Sequence, residues 1–172
     1  RGLGDVYKRQ NLANGITLQL SASMLAPGAQ IGVATTGHRL LFDCMTSTTG
    51  LETCMTDATP QGSRVVADLT PGLMSSDVRA YAAVGEGWLV VSDGSVEGTP
   101  TGVSLWIVEG DAMRLVYNPW PGSSNSSEAL NYGRLVISPT QAWIIAHDGV
   151  HGHEWHRWSH GELSDDWIVI HR

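Results

Sequence analysis

Short stretches in which apolar and polar residues take turns run along most of this chain, the spacing of strands whose side chains point to opposite faces. Ile16-Thr17-Leu18-Gln19-Leu20 alternates with a period of two. Arg39–Phe42 and Leu51–Met55 form a pair about the polar turn Thr46-Ser47-Thr48-Thr49-Gly50, and Arg64–Leu69 and Ala80–Val84 follow. A second group reads Trp88–Val91, Val103–Val108, Arg114–Tyr117 and Arg134–Ile137; a third reads Ala142–Ala146, Gly152–Trp158 and Trp167–Ile170. Asp93-Gly94, Glu109-Gly110 and Asp148-Gly149 stand between strands, where tight turns use a positive φ. No segment keeps helical spacing for more than a few positions; Met74–Val84 comes nearest and is interrupted.

The groups recur. Gly50, Gly102 and Gly152 open the same segment of each, and Pro71-Gly72 is echoed by Pro121-Gly122, a period of about 50 residues that belongs to stacked β units. The pattern predicts an all-β chain, a partial β-propeller-like array of antiparallel three- to four-stranded blades. Residues 11–172 then form a single β-repeat domain: a blade remnant at 11–36, blades at 37–86 and 87–138, and an incomplete blade at 139–172. Residues 1–10 differ in composition and read as a non-native leader or disordered tail. Because a propeller closes with at least four blades, the chain is expected to be a fragment, an open arc or part of a larger ring, with neighbouring repeats as its first partners. Trp88, Trp106, Trp143 and Trp158 fall at blade positions and are expected in the core between blades.

The stretch Gly50-Leu51-Glu52-Thr53-Cys54-Met55-Thr56-Asp57-Ala58-Thr59-Pro60-Gln61-Gly62 through Asp68-Leu69-Thr70-Pro71-Gly72 resembles the bacterial ELWxxDGT repeat. Glu52, Asp57, Thr59, Gly62, Asp68, Pro71 and Gly72 agree with that pattern. Cys54 stands in the tryptophan position and Ala58 in that of the loop glycine. The second copy keeps Leu105-Trp106 with Ser104 for the glutamate, and the third keeps Glu154. The resemblance implies propeller-like blades in a long, secreted or surface-attached bacterial protein, and no single activity.

Composition narrows the partners. The 172 residues carry a formal charge of −7, and the only lysine is Lys8. No basic patch is available for nucleic acid or an anionic membrane surface. No run of apolar residues is long enough to span a bilayer as a helix. Seven tryptophans and twenty glycines beside one phenylalanine agree with a turn-rich β protein. The only cysteines, Cys44 and Cys54, flank the first hairpin turn. A bridge across it would imply an oxidising compartment; two small buried apolar residues are the alternative.

Candidate chemistry concentrates near the C-terminus. His147, His151, His153 and His156 accompany Glu154, and imidazole with carboxylate is a donor set for zinc. His151 and His153 share strand parity, whereas His156 has the opposite one. Glu52, Asp57, Asp68, Glu109, Asp111 and Asn118 are oxygen donors of the kind calcium takes, although their spacing is not that of a twelve-residue calcium loop; hydrogen bonding within their own turns is the simpler role. Trp120, between two prolines, and Trp155, beside the histidines, are candidate platforms for a sugar or peptide. No nucleophile elbow is present, Gly85-Glu86-Gly87 precedes no helix, and Asp165-Asp166 would point to opposite strand faces. The main expectation is therefore a non-enzymatic extracellular or cell-envelope module that serves as scaffold or binds protein or carbohydrate. The alternative is a metal-assisted hydrolase or lyase using residues 147–160.

Overall fold

The structure, a computed structural model, describes residues 8–10, 17–19, 34–120, 130–137, 141–147, 150–159 and 166–170. All of its regular elements are strands. β1 (Lys8–Gln10) pairs with β2 (Thr17–Gln19). Most of the expected remnant at 11–36 and the Pro121-Gly122 echo lie outside the described residues.

Three four-stranded antiparallel sheets form the body of the molecule, each running in chain order or nearly so. The first joins β3 (Ala34–Thr36), β4 (Arg39–Met45), β5 (Leu51–Thr56) and β6 (Arg64–Ala67). The second contains β7 (Ala80–Val84), β8 (Gly87–Ser92), β11 (Ser104–Glu109) and β12 (Ala112–Tyr117), with the small hairpin of β9 (Ser95–Val96) and β10 (Thr99–Pro100) projecting from the β8–β11 connection. The third joins β13 (Leu130–Ile137), β14 (Gln141–His147), β15 (His153–Ser159) and β16 (Asp166–Ile170). Gly50, Gly102 and Gly152 each stand shortly before the third strand of a sheet.

The second sheet is buried on both faces. Leu89, Val91, Leu105 and Ile107 pack with Ala142, Ile144, Ala146 and Trp158 of the third sheet. The alternate residues Trp88, Val90, Trp106 and Val108 pack with Leu41 and Met55 of the first. This explains why β8 and β11 read as continuous apolar runs while β14 alternates. A third cluster, Phe42, Cys44 and Cys54, covers the other face of the first sheet.

Two bulges tune these faces. In the β11–β12 pair the register shifts between Leu105 and Trp106, so Leu105 faces Tyr117 while Trp106 faces Leu115. One extra residue puts Tyr117 on the side of the third sheet, against parity. The β5–β6 pair shifts likewise between Thr53 and Cys54, which sends Ala67 inward beside Leu41 and Met55 and Val65 to the outer cluster.

The propeller expectation is corrected by this arrangement. The sheets are open, and none closes into a barrel or curls into a blade about a common axis. Strand spacing records pairing between neighbours in sequence, but curl depends on how whole sheets pack, which a period cannot convey. The tryptophans also divide. Trp88, Trp106 and Trp158 are core. Trp143 lies on the face of β14 opposite to Ala142, Ile144 and Ala146, with the Arg157 guanidinium 5.8 Å above its ring.

Cys44 and Cys54 are disulfide-bonded, with Cα atoms 5.7 Å apart. They are diagonal neighbours, since Cys44 pairs with Glu52 and Cys54 with Phe42. Reduction with dithiothreitol is expected to lower the unfolding free energy by about 2–4 kcal/mol in urea titrations. Gly50 leaves no room for a side chain, because a Cβ there would sit 2.1 Å from the Met74 carbonyl oxygen. Gly50→Ala should cost about 1–3 kcal/mol in the same assay, and an unchanged midpoint would show that the crossing at Met74 yields easily.

Candidate functional site

Beyond β6 the chain leaves the first sheet, crosses its end as residues 68–79, and enters the second. Polar groups fix this strap. The Gly72 amide donates to Asp68 Oδ2 (3.2 Å), and its carbonyl accepts from the Gly50 amide (2.9 Å). Leu51 N–H donates to Ser75 Oγ (3.0 Å), and Leu51 C=O accepts from Ser76 N–H (3.0 Å). The Leu69 amide donates to the buried Glu52 carboxylate at 3.1 Å.

Facing the strap is the β8–β11 connection. Thr101 donates to the Gly94 carbonyl through both its amide (2.8 Å) and its hydroxyl (3.0 Å), closing the base of the β9–β10 hairpin. Ser95 Oγ donates to the Leu69 carbonyl at 3.0 Å, tying hairpin to strap. Gly94 lies against Trp106, whose Cζ2 would be 2.5 Å from an added Cβ. Between strap and hairpin runs a groove of about 440 Å³, walled by Pro71, Met74 and Pro100 and reaching Gly94, Gly102 and Asp93.

Among the described residues, Asp93 is the one ionisable group lining the groove. Its Oδ2 lies 3.8 Å from the Arg79 guanidinium, which makes its closer bond, 3.0 Å, to Asp77. Two carboxylates thus share one cation. Asp93 Oδ1 is buried and has no hydrogen-bond partner among the described residues. Burial raises the Asp93 carboxyl above its ordinary range; Arg79 opposes the rise and Asp77 adds to it.

The other polar interior groups have structural work. Tyr81 of β7 donates a short hydrogen bond to Asp43 of β4, and Thr53 Oγ1 lies 3.3 Å from the same hydroxyl. Burial raises the Asp43 carboxyl, and burial beside Asp43 raises the Tyr81 hydroxyl. Tyr81 therefore remains a donor that pins the first sheet to the second. Glu52 is pushed up to about 7, chiefly by burial, with hydrogen bonds from Ser76 and Leu69 holding it back.

The expected metal ligands are dispersed. His147 and His153 are cross-strand partners with ring centroids 5.2 Å apart, and Trp120 stacks on His147 at 4.8 Å. His151 is exposed ahead of β15, Glu154 is half-buried opposite Ala146, and His156 is buried with Nδ1 2.5 Å from the Tyr117 hydroxyl. Among the described residues no group of three or more metal-binding side chains is placed to hold an ion. The calcium candidates are occupied otherwise. Asp57 accepts from the Thr59 amide (2.8 Å) and hydroxyl (2.6 Å), which keep its carboxyl below the ordinary range. Asp111 pairs with Arg64 and Glu109 with Arg114 at 3.3 Å; Asn118 is the exception, its Oδ1 buried without a hydrogen-bond partner among the described residues. Of the two indoles singled out as platforms, Trp120 joins the histidine rings, while Trp155 is half-buried in β15 opposite Ile145 and Ile170.

No family model matches the chain, and no curated protein is similar to it. With the open sheets, this corrects the reading of the chain as propeller-type repeats and removes the support for a secreted, surface-attached setting. The residues that carried the ELWxxDGT resemblance have local duties: Glu52 and Asp68 accept amides of the strap, and Asp57 and Thr59 build one turn. Each of these four residues therefore has a local role in a turn or in holding the strap.

The raised Glu52 carboxyl has a measurable consequence. Its unfolded form ionises near 4.5 and its folded form near 7. Its contribution to stability is therefore complete below the lower value and is lost as pH rises through the upper one. Glu52→Gln retains an acceptor for Leu69 and is expected to flatten the fall in unfolding midpoint between those two values; a slope equal to that of the parent protein would assign it to other groups.

Proposed function

We propose that this chain is a non-enzymatic ligand-binding module and that the groove between residues 70–75 and 93–102 is its site. One observation carries the reading: a groove of about 440 Å³, within the usual size range of ligand sites, has apolar walls and the half-buried Asp93 carboxylate on its lining. Its complement is an amine or guanidine carried on an apolar body.

Binding fits the lining better than turnover does. The hydroxyls of Ser75 and Ser95 and the Asp93 carboxylate are present, with no second titratable group facing Asp93 across the groove. General acid–base chemistry uses a base and an acid placed on the reacting atoms. The metal-assisted alternative draws no support from the histidines: among the described residues no three metal-binding groups come together.

Amide chemical-shift titration tests this reading with four small probes: butylguanidine, butylamine, butyrate and glucose. Butylguanidine and butylamine are expected to shift the Gly94, Gly98 and Gly102 amides, and Ser75→Trp, which fills the groove, should abolish those shifts. Shifts confined to the Trp120–His147–His153 cluster, or none at the groove from any probe, would refute the assignment.

A further inference from the structure

Resting on the groove as the binding site, we propose that its occupant is an extended peptide segment bearing an arginine or lysine between apolar side chains, with the cation on Asp93 and the apolar neighbours on Met74, Leu73 and Pro100. Three observations lead there, and the first is charge. Among the described residues Arg79 is the only cation paired with Asp93 and is already bonded at 3.0 Å to Asp77, which leaves this cluster of three with one surplus negative charge. Glu97 is exposed at the tip of the β9–β10 hairpin, and the whole chain carries −7. An incoming cation therefore meets a favourable field before it reaches the groove.

The second is the reach of the apolar surface. Leu73 and Met74 are 77% and 68% exposed, and Val96 on the hairpin is 41% exposed. A ligand small enough to fit inside the groove would leave Leu73 and Val96 in water, whereas a chain lying along the groove can cover apolar side chains on both banks. Exposed apolar groups clustered around a polar anchor point are characteristic of protein-recognition surfaces.

The third is preorganisation. The Leu69 peptide unit donates to Glu52 and accepts from Ser95, and Thr101 closes the hairpin base on Gly94. Strap and hairpin are thereby held at a fixed separation before any ligand arrives, which spares part of the ordering cost of association. Within the groove, the guanidinium or ammonium pairs with the accessible part of the Asp93 carboxylate as a charge-assisted contact.

Fluorescence polarisation with labelled Ala-Leu-Arg-Leu-Ala tests the proposal, using the same peptide with citrulline for arginine as the neutral isostere. Binding should weaken roughly tenfold or more on replacing arginine by citrulline, and by a similar factor in Asp93→Asn. Met74→Ser, on an exposed side chain that leaves folding undisturbed, should also weaken it, while Trp120→Ala should not. Added sodium chloride should lower the affinity for the arginine peptide more than for the citrulline one. Equal affinity of the two peptides, or indifference to both Asp93→Asn and Met74→Ser, would overturn the proposal. Butylguanidine binding as tightly as the peptide would overturn the peptide while leaving the groove as a site for small cations. Self-association in analytical ultracentrifugation that is lost in Asp93→Asn would overturn it in favour of a second copy of this chain. Failure of every peptide and every small probe to perturb the groove amides would remove both this proposal and the reading on which it rests.

Discussion

Trp88, Leu89, Val90 and Val91 alternate between two interiors, and the architecture depends on that double burial. Their sheet packs the first sheet with one face and the third with the other, so it has little surface to offer solvent. Full burial of each large apolar side chain contributes about 1.5–3 kcal/mol, and here the gain accrues on both sides of one layer. β14 of the third sheet keeps a less buried face, whereas the first sheet carries the Phe42–Cys44–Cys54 cluster on its outer side. The loops that leave it, including the 93–102 connection, are consequently rooted in the most rigid layer of the molecule.

Double burial also dictates where polar groups can survive. Asp43 and Tyr81 meet at the boundary of the first two sheets and satisfy one another, with Thr53 beside them. Glu52 is buried but holds the strap through Leu69. Ser92 gives its hydroxyl hydrogen to the Ser76 carbonyl at 2.7 Å, and Trp106 gives its indole hydrogen to the Ser92 carbonyl at 3.2 Å. The Glu52 and Ser92 side-chain bonds join a sheet to the segment that crosses its end, Tyr81 joins two sheets, and Trp106 ties β11 to the end of β8. The apolar layers fix which faces meet, and the polar contacts fix how the crossings lie over them. Asp93 Oδ1 and Glu52 Oε1 depart from this rule, since both are buried without a hydrogen-bond partner among the described residues.

Much of the strand layout was legible because a strand writes its own period. Arg39–Phe42, Leu51–Met55, Trp88–Val91 and Ala142–Ala146 all fall within strands, and parity alone separates exposed His153 from buried His156. Closure was not legible. Whether sheets stack flat or curl is decided by contacts such as Leu41 with Trp88, between residues distant in sequence. The bulge that swings Tyr117 to the third sheet was also invisible, as one extra residue carries no compositional mark. The groove was missed for a related reason. Asp93-Gly94 reads as a turn, Pro71-Gly72 reads as another, and nothing in either announces that they face one another. A carboxylate two residues after the apolar run Trp88–Val91 was the available sign, because such a side chain must lie at the margin of the core. The histidine cluster misled in the opposite sense: density in sequence suggested convergence, but a strand deals successive residues to opposite sides.

The Leu69 peptide unit links these themes. Its amide is anchored in the first sheet by Glu52, and its carbonyl receives the hairpin of the second through Ser95. Neither bank of the channel can then swing alone: whatever displaces one carries the other with it. For the proposed ligand, selectivity would reside in a fixed gauge and not in a closing flap, and the tips from Leu73 to Met74 and from Val96 to Gly98 are exposed enough to vary without disturbing the frame beneath.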